Sequence, residues 1–219
     1  MRKKSGILIV YFLVWGLALY GADREARSYT ETHGSSTSVV QYTVARSGQT
    51  IELASSGGAV SDSIRWTAGT GTVWWKEIDS ASRIDIEAVR VGDVVTVTGT
   101  HKGAVIKRRI NLDAAPWYQI FGPLIEELLP DLKGQKEFWV VNPDDLVPHK
   151  MLTRRIGEER IPLGGTSMDS VKVHFSPAGM LAPFWGADFW YRPADGLYLF
   201  SRLPENGGLT VSSLRDPQK

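Results

Sequence analysis

From Val40 onward, apolar and polar residues alternate in short runs bounded by turn residues. Val40, Tyr42 and Val44 fall on one face, and the turn that follows closes at Gly48. Ile51 and Leu53 resume the pattern up to the Ser55–Gly58 cluster. Ile64 and Trp66 then lead into a Gly-rich turn, after which Val73 and Trp75 stand opposite Trp74. Next, Ile84, Ile86 and Ala88 alternate with Asp85 and Glu87, with tight turns at Gly92 and near Lys102. Period two, β-prone residues and Gly-containing turns together predict an antiparallel meander. In the return strand AVIKRRINL, Val105, Lys107 and Arg109 share one face, while Arg108 lies opposite between Ile106 and Ile110. We read this face as a solvated one with long apolar stems.

The period then changes. Trp117, Phe121, Leu124 and Leu128 are spaced by four, three and four residues, which predicts an apolar helical stripe. Asp113 is a candidate N-cap, Pro116 suits the first turn, and Pro123 predicts a kink or break. Strand chemistry returns after Gly134. It runs through EFWVV, the NPDD turn, HKMLTRRIGEERIPL and VKVHFS to the hairpin DFWYRPADGLYLFSRL. In that hairpin Pro193, Asp195 and Gly196 are the structural turn residues: Pro193 fixes φ, Asp195 accepts backbone bonds and Gly196 takes a left-handed conformation. Asp188 and Arg192 share a face with Trp190 and are placed to pair across it. The fold expected is mainly β: a strongly curved antiparallel β-meander, a half-barrel, packed against one kinked central helix.

The first 22 residues read differently. Arg2, Lys3 and Lys4 precede an uncharged run from Ile7 to Ala22. This is the pattern of a secretory signal, or of an N-terminal membrane anchor if uncleaved. Four regions follow: 1–22 as signal or anchor, 23–38 as a flexible polar lead-in, 39–214 as a single β-rich domain, and 215–219 as a tail. The location expected is the periplasm or extracellular space; the alternative is anchorage in the inner membrane facing the periplasm.

Composition narrows the chemistry. The 25 basic and 24 acidic residues nearly balance. Cleavage after Ala22 would leave 22 against 24, a formal charge of −2. Neither value points to nucleic acid. Without cysteine there is no disulfide, thiolate nucleophile or Cys-ligated metal. The four histidines form no HExxH set, and no G-x-S-x-G elbow, P-loop or dinucleotide fingerprint is present. No metal, no cofactor and no catalytic residue is assigned. Three carboxylate pairs, Glu126–Glu127, Asp144–Asp145 and Glu158–Glu159, read as solvated; the first is assigned to the wet side of the helix.

The aromatic residues are the remaining candidates. Eight tryptophans are many for 219 residues, and seven lie beyond the leader. If one row of each aromatic strand packs the core, the other is either capped or lines a groove. The residues assigned to an apolar ligand site between sheet and helix are Trp66, Trp75, Trp117, Phe121, Trp139, Phe189 and Tyr191.

The segments HKMLTRRIGEERIPL, VKVHFS and DFWYRPADGLYLFSRL resemble the C-terminal part of exported bacterial families of unknown function. More remotely, they resemble the periplasmic lipoprotein carrier LolA and related lipid-handling proteins. That resemblance implies a curved sheet whose concavity holds acyl chains, and it carries over onto Phe189, Trp190, Asp195 and Gly196 only. The function expected is therefore a non-enzymatic, exported envelope protein that binds a lipid or other apolar molecule. Two alternatives stand beside it: an interaction protein with a solid core and an envelope protein as partner, and a hydrolase of unknown class. No nucleic-acid partner is expected, and membrane contact would come through the N-terminal segment if uncleaved.

Overall fold

The computed structural model of the protein describes residues 23–119, 122–127, 134–179, 185–205 and 208–215. The leader reading of residues 1–22, and the stripe residues Phe121 and Leu128, lie outside the described residues. The chain forms β1 (Asp23–His33), β2 (Ser36–Ser47), β3 (Thr50–Gly57), β4 (Val60–Thr67), β5 (Gly71–Asp79), β6 (Ile84–Val91), β7 (Val94–His101) and β8 (Ala104–Asn111). A 3-10 helix, η1 (Gly122–Glu127), follows. Then come β9 (Gln135–Val141), β10 (Pro148–Leu163), β11 (Thr166–Pro177), β12 (Ala187–Tyr191), β13 (Tyr198–Glu205) and β14 (Gly208–Leu214).

All fourteen strands join one antiparallel sheet in the order β8-β7-β6-β5-β4-β3-β2-β1-β14-β13-β12-β11-β10-β9. Two runs of sequence-adjacent hairpins are thus sealed by one long-range pairing, with Tyr29 of β1 opposite Leu214 of β14. No ladder joins β8 to β9 among the described residues, so the sheet is open. Alternation sets the faces, as in β6, where Ile84, Ile86 and Ala88 are buried and Asp85 and Glu87 exposed.

The expected half-barrel wrapped around a kinked helix is not what forms. The sheet is neither closed nor strongly curled around a helix, and no α-helix occurs among the described residues. Backbone chemistry explains the missing helix. A residue before proline is pushed out of the α region, which disfavours it at Ala115 and Gly122. The amides and carbonyls around Trp117 are instead committed to strands. Thr72 N–H donates to Trp117 O at 2.6 Å, Trp139 N–H to Pro116 O at 2.7 Å, and Tyr118 N–H to Trp139 O at 2.8 Å. Trp117 therefore bridges β5 and β9 as extended chain. The spacing of four, three and four imitates a helical stripe, but among the described residues of this segment only the six of η1 form a helical turn.

The lead-in reading of residues 23–38 also needs correction. These residues form β1 and the start of β2. β1 pairs β2 along its whole length, from Asp23↔Arg46 to His33↔Ser36, and pairs β14 on its other side from Tyr29 to His33, so its polar backbone has strand partners. Its inward row of Arg27, Tyr29 and Glu31 contains one apolar ring, which hides the period from a count of hydrophobic residues.

Candidate functional site

The inner face of the sheet carries an aromatic chain. Trp66 stacks near Tyr118 at 6.4 Å between ring centres, and Tyr118 meets Phe138 at 5.4 Å. Phe138 then meets Phe175 at 5.8 Å, and Phe175 meets Phe189 at 4.7 Å. Phe189 contacts Tyr198 at 6.2 Å, Tyr198 stacks on Tyr29 at 4.9 Å, and Tyr29 meets Tyr42 edge-on at 5.2 Å. Tyr191 joins through Tyr198, and Trp75 packs edge-on against Trp117. Of the seven residues assigned to a ligand site, Trp66, Trp75, Trp117, Phe189 and Tyr191 lie in this one buried core. Trp139 does not join them inside. It is half-buried on the face opposite Phe138, where its indole N–H donates to Asp113 at 2.7 Å and Lys150 lies over its ring. Asp113 is thus no helix cap. It accepts from Trp139, Lys150 and Ala115 N–H, and these bonds, led by Lys150, hold it well below the usual carboxylate range.

The strip around Trp117 is pinned by polar bonds that its sequence does not advertise. Trp117 Nε1 donates to Gln119 Oε1 at 2.7 Å, and Gln119 Nε2 donates to Val141 O at 2.6 Å. Gly71 makes the approach possible: its φ is +85°, and a Cβ there would stand 2.4 Å from Trp117 O. η1 is held by a buried ion pair. Glu126 accepts from Arg27 and, at 2.7 Å, from Tyr198 N–H. The two side chains are 5% and 9% exposed. Burial raises the Glu126 pKa, and Arg27 opposes that shift. Tyr191 O–H donates to Gly122 O at 3.1 Å, so an aromatic assigned to ligand binding serves as a fastening for η1. Glu126 is therefore not on a wet helix face.

One end of the inner face is acidic. Asp62 and Glu77 stand directly opposite on β4 and β5. Asp62 accepts from Trp75 Nε1 at 3.1 Å and Ser55 Oγ at 3.4 Å. Glu77 is 7% exposed and has no hydrogen bond or ion pair among the described residues. Burial, and then the fields of Asp62, Asp79 and Asp144, push its pKa up to about 8. It is a neutral acid at pH 7, able to donate a hydrogen bond. The period running through Trp75 aims Glu77 inward, and that was the signal available in the sequence. Its isolation was not visible there.

The PADG turn has a simple local geometry. Gly196 has φ +76°, its N–H donates to Arg192 O at 2.8 Å, and Asp195 accepts from Leu197 N–H at 3.2 Å. Asp188 and Arg192 do not pair with each other. β12 ends at Tyr191, so Arg192 already lies in the turn, where it donates to Asp195 at 2.6 Å. Asp188 pairs instead with Lys172 at 2.8 Å and His174 at 2.7 Å. Trp190, on the face opposite Phe189, is buried beneath Phe200, Lys172 and Arg202 and donates to Glu159 at 2.5 Å. The second aromatic row of this hairpin is therefore capped.

No family model matches the chain, and no curated protein matches it. Among solved structures it is similar to a β-barrel-like protein of a domain of unknown function, DUF1849, from Brucella abortus. That match has a TM-score of 0.54 and 8% identity, over 86% of this chain and 94% of the other. A DUF1329 family protein from Desulfovibrio piger aligns over 90% of this chain and 85% of its own at 10% identity, with a TM-score of 0.30. The first likeness speaks to fold alone: this is a β-rich protein whose fold is similar to one of unknown function. Neither structure is described as a LolA-type carrier. Among the described residues no helix is long and apolar enough to cross a membrane.

Proposed function

We propose that the protein is a non-enzymatic interaction protein of the bacterial envelope, exported by its N-terminal segment and built on a solid aromatic core. The continuous ring-to-ring chain from Trp66 to Tyr42 carries this reading. Rings that occupy one another's faces leave binding to the outer surface and the sheet edges. An apolar-ligand carrier of the LolA kind is the second reading, and one observation favours it. Trp66 Nε1 and Thr153 Oγ1 are buried without a hydrogen-bond partner, and a lipid head group or water would satisfy them. Native mass spectrometry of gently purified protein separates the two. We expect the bare polypeptide mass; a lipid retained at one-to-one stoichiometry would replace the first reading with the second.

A further inference from the structure

We propose that the free edge of β8 is a docking site for an extended acidic segment of a partner protein, which adds to the sheet as a further antiparallel strand. This deepens the interaction reading, on which it rests, by naming the surface and the chemistry of the partner.

The turn between β7 and β8 fixes which backbone groups are free. Lys102 and Gly103 both have positive φ, +51° and +82°, the geometry of a two-residue type I′ turn. The flanking pair, His101 and Ala104, therefore exchanges both backbone hydrogen bonds. Alternation then commits Ala104, Ile106, Arg108 and Ile110 to β7. The N–H and C=O groups of Val105, Lys107, Arg109 and Asn111 point away from the sheet. No described residue pairs with them.

The same four residues place their side chains on the outer face. Val105 is 90% exposed, the highest value of any large hydrophobic residue described. Lys107 and Arg109 are exposed and join no ion pair among the described residues. Lys102 lies at the hairpin tip, and the Arg83 guanidinium lies beside Gly103, extending the positive field. The opposite edge of the sheet differs. On β9, Trp139 already bonds the Trp117 strip through both backbone groups, and Glu137 faces Lys150 at 3.3 Å.

Charge selects the occupant. A second copy of β8 laid on this edge would set cations against cations, which discourages self-pairing. A strand with carboxylates on its outer face would set them beside Lys107 and Arg109, and an apolar neighbour would cover Val105. Main-chain bonds would supply affinity and the charges would supply selectivity.

The probe is a fluorescent, end-blocked octapeptide of alternating Glu and Val, titrated against the full chain by anisotropy at low and physiological salt. Val105→Pro removes one outward N–H and leaves the bonds to β7 and every charge in place. Lys107→Glu with Arg109→Glu reverses the charge and leaves the backbone in place. We expect each variant to weaken binding of this peptide on the order of tenfold, and a Lys/Val peptide to bind the charge-reversed variant but neither the parent nor Val105→Pro. Unchanged binding by Val105→Pro would overturn strand addition, as would equal binding of an oligothymidylate of the same charge. Amide exchange in the unmodified protein gives a readout that does not depend on any variant folding. Peptide must protect Val105, Lys107 and Arg109, and absence of that protection overturns the proposal. A protein that is lipid-free in mass spectrometry yet fails this test loses the β8 surface while the interaction reading stands.

Discussion

Replacing Glu77 by glutamine tests whether an uncompensated acid sits inside the sheet. Glutamine keeps the shape and removes the proton equilibrium. In the native protein the carboxyl titrates near 8, against 4.5 when unfolded. Below the unfolded value it is protonated in both states and has no effect on folding. Between the two values the native state holds a proton that the unfolded state releases, so stability falls as pH rises. The slope is about 1.4 kcal/mol per pH unit. It vanishes once pH exceeds the native value. From about pH 5 to 7.5 the loss is roughly 3 kcal/mol, which is a large fraction of the stability of a single domain. Urea unfolding followed by tryptophan fluorescence, at steps from about pH 5 to 9, measures it. Burial raises the pKa of Asp62 and of Glu126 in both proteins, so the quantity that matters is the difference between parent and variant. That difference should grow with pH in favour of Glu77→Gln and level off above about pH 8. Parallel stability curves for the two proteins would show that Glu77 finds solvent or a cation, and the reasoning would fail.

Two further outcomes follow from the strip and the clamp. Glu126→Gln leaves the buried Arg27 with only the exposed end of Glu25, and should cost about 3–5 kcal/mol in urea unfolding. Restoring much of that loss by also changing Arg27 to Met would confirm that the stranded charge is the cause, and a loss below about 1 kcal/mol would argue against it. Gly71→Ala forces a methyl group against Trp117 O at a positive φ, and should cost about 3 kcal/mol. Near-ultraviolet circular dichroism should report the altered Trp75–Trp117 contact, and an unchanged spectrum with unchanged stability would refute the close approach.

The sequence was most legible where one face was apolar and the turn was closed by glycine. β6 and β7 with their Gly92 turn, the Lys102–Gly103 hairpin and the PADG turn are all read from period two and turn chemistry. Two kinds of feature were not legible. The first is a strand whose inward row is polar: β1 places Arg27 and Glu31 on either side of Tyr29 on that row, so no hydrophobic period marks it. The second is a segment whose backbone partners are remote in sequence. Trp117 has helical spacing with Phe121 and Leu124, yet its carbonyl accepts from Thr72 N–H, and its neighbours Pro116 and Tyr118 bond Trp139. Spacing describes side chains, and here the main-chain partners decided the conformation. Residue type alone picks out Trp66, Trp75, Trp117, Phe189 and Tyr191, which the fold buries in one core, but it does not single out the rings between them, Tyr118, Phe138, Phe175 and Tyr198.

The β1–β14 pairing has a consequence for how the chain must be made. Strands β1 to β8 can zip from hairpin to hairpin as they emerge, and β9 to β14 can do the same. The seam between them closes only when Leu214 is available to meet Tyr29, so the first strand waits for the last with one flank bare. During vectorial synthesis or translocation that flank is a sticky ribbon, and a holding chaperone that shields extended segments would guard this interval.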